Sequence, residues 1–127
     1  TQWMVTEVFQ DHHFIDNYIK KIPTEITKSY VLTVQLLRKH NLPYIPSRGS
    51  LFIWADLSGL LNEKSEKGEM DLWKEIYYET GVLLTPGLGF GHNKNGIFRI
   101  VFSAAKIEIL QVALRRLDRY FSEKKVN

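Results

Sequence analysis

The sequence predicts an α+β domain in which helices pack on a small β-sheet, with a long kinked helix leading in. Three observations predict it. Apolar residues recur at helical spacing through the first forty positions. Three short apolar runs of strand length follow, at 51–57, 82–85 and 97–102. Two further helical stripes, around 70–77 and 107–121, stand between and after them. The order helix-helix-β-α-β-β-α suits a small sheet with helices over it. No internal repeat or interdomain linker divides the chain. Its 127 residues read as a single domain, a helical lead-in over 1–42 and an α/β sandwich over 43–127.

The lead-in opens with a short apolar segment, Trp3, Met4, Val5 and Val8. Asp11 is placed to cap the next helix, because a carboxylate accepts a free first-turn N–H. Phe14, Ile15, Tyr18, Ile19 and Ile22 then keep helical spacing. Pro23 lacks an N–H and clashes with the preceding turn, so a kink or restart is expected there. Ile26, Tyr30, Val34 and Leu37 carry the stripe on until Asn41 and Pro43 stop it.

Ser47-Arg48-Gly49-Ser50 reads as a turn. The run Leu51 to Leu57 is almost wholly apolar, as in a strand covered on both faces. Asn62 to Gly68 reads as a surface loop. Met70, Leu72, Trp73, Ile76 and Tyr77 mark a helix, with Gly81 where a C-terminal helix glycine belongs. Val82 to Thr85 is the second strand, ended by Pro86-Gly87. Leu88 to Gly96 holds three glycines without periodicity and reads as a loop. Ile97 to Phe102 is the third strand. Ile107, Leu110, Leu114, Leu117 and Phe121 complete an amphipathic helix.

Composition bounds the function. Cysteine is absent, which excludes disulfides and thiolate chemistry and fits a reducing cytoplasm. No apolar stretch reaches the roughly 18 residues of a membrane span. A net charge of +3 is a weak nucleic-acid signal, and Arg115, Arg116, Arg119, Lys124 and Lys125 read as a solvated face and tail. His12, His13, His40 and His92 form no metal-ligand spacing, so no metal is expected. The start at Thr1-Gln2-Trp3, without an initiator Met, reads as a segment of a longer protein or, alternatively, as a processed terminus.

One residue breaks the apolar pattern. Arg99 sits inside Ile97-Phe98-Arg99-Ile100-Val101-Phe102, and alternation groups it with Ile97 and Val101. A guanidinium there needs a partner. Either a carboxylate of this protein pairs with it, or its planar fork is left for a ligand carboxylate. Asp56 ends the first strand and either takes that charge or caps the turn at Ser58-Gly59. The glycines around Pro86-Gly87 let backbone approach a ligand, or simply turn the chain; no P-loop ending follows. Glu63, Glu66, Glu69, Asp71 and Glu75 read as a solvated face, and Trp54 and Trp73 as core.

Four segments together resemble a known family. They are Gly49 to Leu57, then Glu69-Met70-Asp71-Leu72-Trp73, then Leu84-Thr85-Pro86-Gly87, then Gly96 to Ser103. Their order and spacing resemble the C-terminal domain of 1-aminocyclopropane-1-carboxylate synthases. These are fold-type I pyridoxal-phosphate enzymes, grouped with the class I/II aminotransferases. The resemblance implies that Arg99 binds the α-carboxylate of an amino-acid substrate, with Gly49, Pro86 and Gly87 close by. It implies pyridoxal 5'-phosphate as cofactor, transamination or γ-elimination as chemistry, and a cytoplasmic homodimeric parent. The family's Schiff-base lysine stands upstream in a Ser-x-Ser-Lys type motif that this chain lacks. This chain alone is therefore expected neither to hold the cofactor covalently nor to catalyse. Where the family commonly has serines after the Pro-Gly turn, this chain has Leu88-Gly89-Phe90-Gly91. The alternative expectation is a non-catalytic binding or interaction module derived from that family.

Overall fold

The computed structural model describes residues 1–124; Lys125, counted above in the basic tail, lies outside them. It has four α-helices and one four-stranded antiparallel sheet, an α+β architecture. α1 (Gln2–Gln10) and α2 (His12–Lys39) meet at Asp11. The Asp11 carboxylate accepts the Phe14 N–H at 2.9 Å, the capping bond its position indicated. α2 continues through Pro23 without a restart. The missing N–H leaves the Ile19 carbonyl without its usual donor, and the turns on either side carry the helix across. Asn41 then adopts φ 54°. Leu42 N–H reaches the Leu37 carbonyl at 2.9 Å and Asn41 N–H reaches the Arg38 carbonyl at 3.1 Å. This double closure satisfies the Leu37 and Arg38 carbonyls at the end of α2.

The strands are shorter than the apolar runs. β1 (Tyr44–Ile45) was not anticipated; two residues give no periodicity to read. β2 is Ile53–Asp56, β3 is Thr85–Pro86 and β4 is Ile97–Ile100. The strand expected over Val82–Thr85 pairs only from Thr85. The Leu84 carbonyl instead accepts the Trp73 indole N–H at 2.7 Å, which takes it from any ladder. The sheet order is β1-β2-β4-β3. Ala55 faces Phe98 and Ile53 faces Ile100 across β2 and β4. All four are buried, and with Leu57 and Phe102 they form the core face. Helices supply Leu37, Leu72, Ile76, Leu114 and Leu117 to the same core. Each fully buried side chain of this kind contributes about 1.5–3 kcal/mol.

α3 (Glu66–Thr80) starts inside the expected surface loop. Ser65 caps it, its hydroxyl accepting the Gly68 N–H at 3.1 Å. A Cβ on Gly68 would lie 1.9 Å from the Glu63 carbonyl, so that turn requires glycine. Gly81 closes α3 at φ 68°, as expected. α4 (Ile107–Glu123) buries Leu110, Leu114, Leu117, Tyr120 and Phe121. It is tied to α2 through Asp118, which meets Lys39 and His40 at 2.7 Å each. It is tied to α3 through Glu75, which accepts from Tyr120 at 2.9 Å and from Lys124 at 2.6 Å. Glu75 is thus a bridging group rather than part of a solvated face. Burial pushes the Tyr120 hydroxyl pKa up, and the Glu75 carboxylate beside it adds to that. No described helix is long and apolar enough to cross a membrane.

Candidate functional site

Arg99 lies in the middle of β4, with Trp54 of β2 opposite on one side and Thr85 of β3 opposite on the other. These three residues share the sheet face that points away from Phe98 and Ile100. Aromatic rings flank the arginine. Its guanidinium carbon lies 4.2 Å from the centre of the Phe90 ring and 5.3 Å from that of Phe52. Trp54 meets both rings edge-on, at 6.1 Å from Phe52 and 5.7 Å from Phe90. Trp54 is therefore a half-buried member of this outer face rather than a core residue. Its strand neighbours Ile53 and Ala55 fill the core instead.

The counter-charge of Arg99 decides between the two readings left open above. No ion pair among the described residues involves Arg99. Its Nε is buried and has no hydrogen-bond partner among the described residues. Asp56, the nearest sequence candidate, is engaged elsewhere. One of its oxygens accepts the Ser58 N–H at 3.0 Å, and the other takes the Lys94 ammonium. Burial alone would raise the Asp56 pKa, but the Lys94 and Ser58 hydrogen bonds outweigh it, and the net shift is downward. Asp56 is a turn cap, not the partner of Arg99. An unpaired guanidinium between two ring faces can take an anion on its terminal N–H groups with its full charge.

The loop before β4 is fastened by a residue that the sequence left unmarked. Glu69 is 1% exposed, not part of a solvated face. Its Oε1 accepts the Leu88 N–H at 3.1 Å and its Oε2 accepts the Gly96 N–H at 2.6 Å. One carboxylate thus holds both ends of the loop that carries Phe90. Only the segment Glu69 to Trp73, quoted above for its resemblance, contained a signal for it. Gly96 has φ 88°, and a Cβ there would lie 2.5 Å from the Ser58 Cα.

The other indicated residues fall in two places. Pro86 pairs with Phe98, and Gly87 backs onto the Ile97 carbonyl so closely that a Cβ would lie 2.7 Å from it. Both therefore adjoin the Arg99 strand. Gly49 does not take part in that aromatic frame. It lines a cleft of about 500 Å³ between the 47–51 turn and α2, with Pro23, Ile26 and Tyr30 opposite.

Comparison with known proteins gives this geometry a family. The model of the family described as aminotransferase class I and II matches residues 1–117. The 1-aminocyclopropane-1-carboxylate synthase 1 of Oryza sativa subsp. indica is 32% identical over 120 residues, covering 94% of this chain and 25% of its own length. The 1-aminocyclopropane-1-carboxylate synthase 8 of Arabidopsis thaliana is 31% identical, covering 94% and 26%. The chain thus spans about a quarter of the length of these relatives. Among solved structures, the aromatic aminotransferase from Pyrococcus horikoshii OT3 matches with a TM-score of 0.78 and 21% identity, over 95% of this chain and 30% of its own. A Thermus thermophilus aspartate aminotransferase variant complexed with tryptophan matches with a TM-score of 0.74 and 20% identity, over 93% and 28%. These structures share the fold. The matched residues run from the helical lead-in through the Pro86-Gly87 turn and Arg99 into α4, and the chain belongs to the aminotransferase class I and II family.

Proposed function

We propose that this chain is the C-terminal, substrate-carboxylate-binding part of a pyridoxal-phosphate-dependent enzyme that acts on amino acids. The unit is one small domain over 1–127, with its helical lead-in over 1–42 and its α/β sandwich over 43–127. The observation that carries the proposal is Arg99, an arginine without a protein counter-ion among the described residues, on the open face of the sheet. Arg99 grips the α-carboxylate. Pro86 and Gly87 hold the adjoining turn, and Gly49 borders the cleft beside α2. A two-point hold on the carboxylate stops the substrate rotating about its own axis, and fixed orientation is one way a protein lowers a barrier.

The residues of this chain fit a carboxylate and do not fit the aldehyde of pyridoxal phosphate. A Schiff-base lysine works through desolvation or a cationic neighbour. No described lysine is buried, and the one that is partly covered, Lys124, is paired with Glu75. The cofactor's grip, and with it the bond-breaking step, belongs to the rest of a longer parent. That parent is proposed to be a homodimer in the cytoplasm and to catalyse aminotransfer or a lyase reaction.

The test uses the full-length parent. Arg99→Lys is expected to raise KM strongly, since one ammonium cannot copy the planar fork. Unchanged kinetics would show the assignment of Arg99 to be wrong. Pyridoxal phosphate added to the parent should give a Schiff-base absorbance near the edge of the visible. No such band would leave a binding module as the better description.

A further inference from the structure

An arginine that must present its fork to a ligand has to be oriented by something. A carboxylate partner would orient it but cancel its charge. A carbonyl partner would occupy its donors. A π face does neither, because it attracts the cation without accepting its in-plane N–H groups. The Arg99 guanidinium lies 4.2 Å from the Phe90 ring centre and 5.3 Å from that of Phe52. The buried Nε has no acceptor among the described residues, so no hydrogen bond at Nε from them sets its orientation. Phe90 is in turn placed by two supports. Trp54 stands edge-on to it at 5.7 Å, and Glu69 holds both ends of its loop. Phe90 is itself 52% exposed, so its ring adds little to the core.

We propose that Phe90, backed by Phe52, is a positioning residue for Arg99: its ring fixes the plane of the guanidinium and so sets how tightly this site holds a carboxylate. The proposal rests on the reading of Arg99 as the carboxylate grip. It also sets the direction of approach. Nε is buried, so a carboxylate meets the two terminal nitrogens end-on.

The test is a binding series in the full-length protein loaded with pyridoxal phosphate. Glycine and the nineteen standard L-amino acids are each titrated, with the matching α-amide for those that bind. Calorimetry and the cofactor's absorbance report the affinities. Phe90→Ala should weaken amino-acid binding by roughly two- to thirtyfold, the span of a cation–π contact. Amide binding should not change. Phe90→Tyr should retain the affinity, and Phe90→Leu, which keeps bulk but has no π face, should not. In an Arg99→Lys background the effect of Phe90→Ala should disappear. Equal affinities for Phe90→Leu and Phe90→Tyr would overturn the proposal, as would equal losses for acid and amide. If Phe90→Ala lowers the melting temperature, the Leu and Tyr variants still decide the matter. A wild type that binds acid and amide equally, or an Arg99→Lys variant that keeps the wild-type preference, would overturn the underlying reading of Arg99 instead.

Discussion

Glu69 and Arg99 are both charged, and both stand among apolar neighbours, yet only one announced itself. Arg99 interrupts a strand whose other residues are apolar, and a period of two makes such an interruption visible. Glu69 sits among other acids on α3, and its partners are backbone N–H groups 19 and 27 residues away. Backbone partners leave no trace in side-chain pattern, so nothing local separates Glu69 from the solvated Glu66. Asp56 was legible only as a choice, and the Lys94 and Ser58 contacts made it. Phe90 gives no signal, because an aromatic in a glycine loop has no period at all. Glu69→Ala should destabilise the domain by about 2–5 kcal/mol, since it strands two N–H groups that one carboxylate now satisfies. Glu69→Gln should cost less than Glu69→Ala, because one amide oxygen still accepts. Thermal melts of the two variants check the order; a Glu69→Ala protein as stable as wild type would mean that water replaces the carboxylate at no cost.

Helices were more legible than strands. α2, α3 and α4 each span several turns, so a 3.6-residue period repeats often enough to be read. Their ends were legible where a specific residue does the closing, as with Asp11, Asn41 and Gly81. The start of α3 is not legible, because Ser65 sits within a polar run that looks like a loop. β1 and β3 have two residues each, too few for any period. They exist because β2 and β4 offer them edges to pair with, which is a tertiary fact. Pro23 is a test of how α2 holds together. The helix crosses it uninterrupted, so Pro23→Ala restores a donor for the Ile19 carbonyl. The variant should raise the melting temperature, by about 1–3 kcal/mol in stability, with a small gain in helical circular dichroism. A lower melting temperature would show that the proline ring supports the cleft it lines with Ile26 and Tyr30.

At the scale of the molecule, α4 is the clamp: it joins α2 through Asp118 and α3 through Glu75. The hydrogen bonds from Lys39 and His40 hold the Asp118 carboxyl below its ordinary pKa, the Lys39 bond most. A carboxyl with a depressed folded pKa stabilises the fold above its unfolded value, about 3.9. That contribution is lost as pH falls through the lower folded value. Wild type should therefore exceed Asp118→Asn in melting temperature at neutral pH. The gap should close as pH falls below about 5; a gap independent of pH down to acid unfolding would remove Asp118 from the account. The α+β class and the helix-over-sheet layering were legible because both follow from which segments are apolar and in what order. The assignment of roles to the two sheet faces was not, because it depends on which strands neighbour which. The Glu69 bridge has one more consequence. It grips the loop by main-chain N–H groups, which nearly every amino acid carries. The residues between Leu88 and Gly96 therefore form a cassette. Apart from Gly91, held at φ 73°, and Lys94, which pairs with Asp56, their side chains can be exchanged by mutation or grafting while the Glu69 fastening stays the same, so the chemistry beside Arg99 can diversify without the fold having to be reinvented.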